Sequence, residues 1–133
     1  MTAIEFAIIA PVLLTLIMGI FKFGVAMSQY LALTNGAGQG ALTFGLSRGT
    51  ATPYTSARAA VTTGATSLTA ASITVTLSVN GTTCSSDADC SAALAAGATA
   101  LVTVTYPCDL TVMGINYMSG GCTLSAHAAQ IVQ

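Results

Sequence analysis

Glu5 is the residue whose position most needs a chemical explanation, because it heads an apolar run, Phe6 to Phe21, that has no charged residue. A carboxylate in hydrocarbon costs several kcal/mol unless a partner neutralises it. If Met1 is the first residue of the mature chain, its α-amino group stands one helical turn away, and in an assembly each Glu5 could meet the amine of a neighbouring copy. We therefore expect Met1 and Glu5 to act in self-assembly. An acid that only stabilises the helix dipole is a compatible alternative.

The four cysteines form a second group able to do chemistry, and all lie in the second half of the chain. An even number in the polar portion favours disulfides and an oxidising compartment. There is no C-x-x-C pair, and His127 is the only histidine, so no metal site is predicted. Of three possible pairings we favour the most local one, Cys84 with Cys90 and Cys108 with Cys122, because each bond would close one short loop.

The remaining polar residues do not suggest an enzyme. Catalysis needs a nucleophile with a base, or paired acids in a cleft, and neither combination is evident, so we predict no enzyme and no cofactor. Asp87 and Asp89 alternate as calcium ligands can, but no glutamate closes the loop, and no calcium site is predicted. The Asn80-Gly-Thr stretch matches the N-glycosylation motif, a three-residue pattern of low specificity.

Charged residues make up only 5% of the 133-residue chain, whereas a typical soluble domain has about 25%. Three basic residues cannot neutralise a phosphate backbone, so a nucleic-acid partner is not expected. The net charge is −1, and the polar surface must come mainly from Ser, Thr, Asn and Gly. Such a surface suits dense packing of identical subunits, which like charges would oppose.

The apolar run Phe6–Phe21, with its flanks, is long enough to cross a bilayer as a helix. It is apolar all round, so it should face lipid or other apolar helices on every side. We expect Pro11 to kink or open the helix, and Lys22 to lie at the membrane interface. A secretory signal peptide would need basic residues before Glu5, and we interpret the sequence as an already processed chain. The alternative is that Met1 is an initiator methionine that happens to stand four residues before a glutamate.

The pattern divides the chain into a helix over residues 1–50 and a globular head over residues 51–133. Gly36, Gly38 and Gly40 permit either close helix packing or a melted stretch. Thr52 and Pro53 indicate the start of a second helix, which we expect to reach about Ser67. Residues 72–79, 100–107 and 122–132 predict three antiparallel strands packed on the long helix, and hence an α+β fold.

The N-terminal segment resembles type IV pilin-like proteins, and more closely the TadE-like family of tight-adherence (Flp) pilus systems. The family pattern is an A-x-E-F-A stretch, a proline six positions after the glutamate, a G-x-x-x-F-G segment and a Leu-rich stretch ending in G-A. Here these positions are Ala3, Glu5, Phe6, Ala7, Pro11, Gly19, Phe23, Gly24, Leu31, Leu33, Gly40 and Ala41. The stretches VTVTYP and CTLSAHA are similar to the family's C-terminal strands.

The resemblance implies a type IV pilin-like fold with Met1, Glu5, Phe6 and Pro11 as assembly residues. It also implies a subunit that stays in the bacterial inner membrane before assembly and then enters an extracellular filament used in adhesion. The expected partners are identical subunits, the prepilin peptidase that removes a basic leader, and the pilus assembly machinery.

The chain departs from the family pattern in the middle of the helix, and this departure bears on its role. Family members commonly carry an Arg-Glu pair before the G-A and an arginine after it, where this chain has Gly38, Gln39 and Leu42. A helix with less charge is easier to bury among its copies, which favours a main fibre subunit. The alternatives are a minor pseudopilin that primes Tad pilus assembly and a bitopic envelope protein with a partner-binding outer domain.

Overall fold

The chain has a long N-terminal helix and a small head with an antiparallel sheet. This architecture confirms the predicted α+β fold. The computed structural model describes residues 3–112, 114–116 and 120–133. The helices are α1 (Ala3–Leu46), α2 (Pro53–Gly64) and α3 (Asp87–Ala93), with a short 3-10 helix at Ala70–Ser72. The strands are β1 (Thr74–Val79), β2 (Thr82–Cys84), β3 (Thr99–Cys108), β4 (Thr111–Val112), β5 (Ile115–Asn116) and β6 (Cys122–Ile131).

Helix α1 is continuous through Pro11 and through the glycines near its end. The proline therefore does not open the helix, and the glycine stretch is helical rather than melted. The helix ends at Leu46, slightly before the predicted boundary, and Gly49 follows with a φ of 77°. This left-handed conformation suits glycine and turns the chain toward α2.

The main sheet has the strand order β2-β1-β3-β6, and all three pairings are antiparallel. It contains the three predicted strands together with the short edge strand β2. Asn80 and Gly81 connect β1 to β2 with φ angles of 50° and 84°, as a two-residue hairpin turn requires. Helix α2 begins at Pro53 as expected, but it stops at Gly64, and the side chain of Thr52 makes no capping hydrogen bond.

The core forms where the C-terminal part of α1 packs against α2 and the sheet. One face of α1 supplies side chains at helical spacing, and all are almost fully buried: Leu33, Ala37, Ala41 and Phe44. The facing residues include Ala57 and Val61 of α2 and Leu77, Val102 and Val104 of the sheet. The small residues on α1 let α2 approach its backbone, so the fully buried contacts between the helix and the head lie in this segment.

Two glycines of α1 lie directly against α2. A Cβ atom added at Gly36 would lie 2.8 Å from the backbone oxygen of Val61. One added at Gly40 would overlap Cγ2 of Val61, a side chain that is itself fully buried. At Gly38 such an atom would meet nothing within 4 Å. Close packing thus explains two of the three glycines in this stretch.

We expect Gly40→Ala to lower the free energy of unfolding by about 1–2 kcal/mol, because overpacking at Val61 outweighs the gain in helix propensity. Gly38→Ala is the matched control. It should be neutral or raise the free energy of unfolding by up to about 1 kcal/mol, since alanine favours the helix and meets no obstacle there. Thermal unfolding of the full chain in detergent, followed by near-ultraviolet circular dichroism, measures both. Shifts in the same direction would contradict the packing argument.

Candidate assembly surface

The N-terminal part of α1, residues 4–32, projects from the head with no fully buried residue, and we call it the helix arm. Every large apolar side chain from Ile4 to Leu31 is between 40% and 74% exposed. At 1.5 Å rise per residue the arm is roughly 40 Å long. It lies in a helix that is long and apolar enough to cross a membrane, with a mean hydropathy of 2.4 in its most apolar window. An apolar surface of this size calls for lipid or protein to cover it.

The predicted assembly residues lie at the far end of this arm. Glu5 occupies the first turn of α1 and is exposed, as is Phe6 at 69%. Pro11 follows on the same exposed segment. Met1 lies outside the described residues. The carboxylate also stands where the positive end of the helix dipole favours an acid. The arm therefore presents one acid at the tip of an apolar rod.

Lys22 has an acidic partner that its position in the sequence does not reveal. Its Nζ atom donates to Oδ2 of Asp109 at 2.8 Å, which links the arm to the loop after β3. The two side chains are 36% and 66% exposed. We predicted a lysine at the membrane interface, and the ion pair places a loop of the head at the same level of the helix.

The hydrogen bond from Lys22 holds the pKa of the Asp109 carboxyl far below its ordinary value of 3.8, and a further hydrogen bond from Thr111 acts in the same direction. A carboxyl group with a lowered pKa stabilises the folded state above its unfolded-state pKa of about 4. That contribution decreases progressively as the pH falls from the unfolded-state pKa to the lowered value. The Asp109 carboxylate therefore keeps its charge to a lower pH than an ordinary carboxyl group.

Both disulfides have the pairing that the spacing favoured. Cys84 bonds to Cys90 with a Cα–Cα distance of 5.2 Å, joining β2 to α3. Cys108 bonds to Cys122 with a Cα–Cα distance of 4.9 Å, joining the end of β3 to the start of β6. The second bond closes the loop that begins with Asp109 and carries β4 and β5. The loop that pairs with Lys22 is thus fixed covalently at its base.

The acids near the first disulfide have structural partners. Asp87 accepts hydrogen bonds from the backbone N–H and the hydroxyl group of Thr55, at 2.9 and 2.7 Å. These bonds, chiefly the one from the hydroxyl, lower the pKa of the Asp87 carboxyl. Ser86 caps α3 by accepting from the backbone N–H of Asp89. The segment predicted as a plain loop is therefore a short helix docked on α2.

Asn80 and His127 lie on the surface of the head. Asn80 is exposed at the tip of the β1–β2 hairpin, and its Oδ1 atom accepts from the backbone N–H of Thr99 at 2.9 Å. His127 is exposed on β6, opposite Thr103 of β3. Glycosylation at Asn80 remains a prediction.

Comparison with known proteins bears on the helix. Residues 1–42 match the family described as TadE, TadE-like protein. The matched segment contains the helix arm, the first buried residues of α1 and all the motif positions named above. No curated protein sequence and no solved structure matches the chain significantly. The resemblance to TadE-like proteins is thus confirmed over the N-terminal helix.

Proposed function

We propose that this chain is a mature structural subunit of a Tad-like type IV pilus, which polymerises through its N-terminal helix. The observation that carries the proposal is the helix arm, whose large apolar side chains are 40–74% exposed in a chain with a well-packed head. The family match over residues 1–42 supports a role associated with the Tad pilus. A membrane covers the arm before assembly, and the helices of sister subunits cover it afterwards.

Apolar burial supplies the cohesion of the proposed filament. Each square ångström removed from water contributes about 25 cal/mol, and the arm is apolar on every side, so several neighbours can pack on it. Contacts that repeat head to tail without closing generate an open helical polymer. In this polymer the Glu5 carboxylate meets the α-amino group of a neighbouring subunit, which neutralises both charges inside the helical core.

The absence of charge in the middle of α1 supports a main subunit over a minor pseudopilin. Leu42 is 53% exposed, whereas the exposed side chain of Gln39 lies beside Gly64 of α2. Leu46 continues this surface at 63% exposure. These uncharged positions can pack against a neighbouring helix without desolvating a charge. The head then forms the outer, adhesive surface of an extracellular fibre.

Purified surface fibres test the proposal directly. Fibres sheared from producing cells are purified, viewed by electron microscopy and quantified by mass spectrometry, and we expect this polypeptide to be their main component. Trace amounts in otherwise intact fibres would favour the minor pseudopilin. Recovery only in the membrane fraction would favour the bitopic envelope protein, whose outer domain binds a partner. Each of the three roles thus gives a different distribution of the same chain.

A further inference from the structure

The loop closed by Cys108 and Cys122 reaches beyond the head and crosses the helix arm. Two open clefts, of about 270 and 330 Å³, lie between this loop and the arm. The first is lined by Thr15, Gly19, Lys22, Phe23, Leu110 and Val112. The second is lined by Ile17, Met18, Phe21, Lys22, Thr111 and Val112. Among these described lining residues, Lys22, which belongs to both clefts, is the one that carries a charge.

The position of the clefts along α1 indicates their depth relative to the membrane interface. Lys22 ends the apolar run, and Thr15 stands seven residues earlier. This separation is about 10 Å along the helix axis. Apolar elements that lie in a membrane interface are buried about 5–10 Å into the boundary between headgroups and acyl chains. With Lys22 at the membrane interface, as the sequence predicts, the loop would cross the helix at interfacial depth and not above the bilayer.

The chemistry of the loop is compatible with that depth. From Leu110 to Gly121 the sequence has no charged residue, and Asp109 at its start is paired with Lys22. Ile115 of β5 is 60% exposed, so its side chain is available to a further partner. An ion pair fixes the loop on the helix at the level where the apolar run ends. Thr111 and Val112 of β4 pair with Asn116 and Ile115 of β5 in a short antiparallel ladder, which satisfies part of their backbone hydrogen bonding.

We propose that the hairpin of β4 and β5, together with Leu110, is a lipid-binding element that dips into the leaflet on the head side, where phospholipid acyl chains fill the two clefts. Lipid is the expected occupant because the clefts open on the segment that crosses the bilayer. The loop fixes the height of the head above the membrane. This inference requires membrane insertion of α1 and does not depend on polymerisation.

The chain has no tryptophan, so one introduced tryptophan reports on its own surroundings. The full-length Ile115→Trp variant is reconstituted into phosphatidylcholine vesicles with and without brominated acyl chains. We expect blue-shifted emission and a loss of about half its intensity or more with brominated lipid, because a residue at the acyl boundary contacts the chains directly. Thr83→Trp, at an exposed position of β2, is the control and should keep its intensity.

The other outcomes overturn the inference. Water-like emission from Ile115→Trp that brominated lipid does not quench would place the hairpin above the bilayer. Blue-shifted emission without quenching would mean that a second copy of the chain covers it instead.

The unmodified chain gives a second measurement that does not depend on the fold of a variant. A phospholipid with a photoactivatable acyl chain should label segment 110–116 as well as the apolar run. Label confined to Phe6–Phe21 would overturn the inference while leaving the proposed pilin function untouched, since that function requires only the helix to lie in the membrane.

Discussion

Replacing Glu5 with alanine should lower the yield of filaments by about a hundredfold or more while leaving the chain in the membrane. In the proposed assembly the substitution leaves the amine of a neighbouring subunit buried without its partner, and breaking a buried pair in this way costs about 3–5 kcal/mol. Each 1.4 kcal/mol changes an equilibrium constant about tenfold. Immunoblots of the sheared fibre fraction and of the membrane fraction measure the two populations separately.

Two further variants separate the charge from other effects at this position. Glu5→Gln keeps the shape of the side chain and should lose assembly to a similar extent, because the charge is gone. Asp89→Asn removes an exposed acid from the head and should leave the fibre yield unchanged. If Glu5 acted only on the helix dipole, its loss would cost about 0.3–1 kcal/mol, or roughly fivefold at most. A decrease in fibre yield of only about fivefold would contradict the proposed pair between Glu5 and the amine of a neighbouring subunit.

The positions that match the TadE-like pattern have two different physical roles in this structure. Glu5, Phe6 and Pro11 lie on the exposed arm, where they contribute no packing to the head. Leu33, Gly40 and Ala41 are buried, and they form the contact between α1 and the rest of the chain. The pattern thus combines exposed residues, which are available to partners, with buried residues that pack against the head. The match ends at residue 42, within the segment of α1 that packs against the head.

Elements with strong local signals were predictable from the sequence. The unbroken apolar run predicts α1, Pro53 predicts the start of α2, and the alternation of apolar residues predicts β1 and β3. The cysteine spacing favoured the observed disulfide pairing because each bond closes a short loop. In all these cases the information lies within a few residues of the element that it specifies.

The elements that were missed are short or depend on distant contacts. Strand β2 has three residues and α3 has seven, so neither shows a period, although Ser86 with Asp89 three positions later is a capping signal for α3. The partner of Lys22 lies 87 residues away, and only the folded head brings Asp109 to it. The close packing at Gly40 likewise depends on where α2 lies. The proposed lipid-binding element is positioned by the contact between Lys22 and Asp109. Because this contact joins distant parts of the chain, the sequence did not reveal the element.

Among the described residues, Phe44 is the largest side chain that is fully buried, and it lies where α1 joins the head. We expect Phe44→Ala to lower the free energy of unfolding of the head by about 3–5 kcal/mol, through lost burial and the cavity left behind. Chemical denaturation of the full chain in detergent, monitored by near-ultraviolet circular dichroism, measures the change. Because a small domain has a total stability of about 5–15 kcal/mol, this loss is a large fraction of the whole.

Phe6→Ala is the matched control, because Phe6 lies on the same helix, far from the head, and is 69% exposed. In detergent it should change the free energy of unfolding of the head by no more than about 0.5 kcal/mol, as surface substitutions usually do. The two variants remove the same atoms. The difference between their changes in the free energy of unfolding therefore measures how much more the head packs against α1 at Phe44 than along the arm. Equal effects would mean that the arm is packed against its own head. Such an arm would have no apolar surface to give to neighbouring subunits, and the proposed filament would lose its source of cohesion.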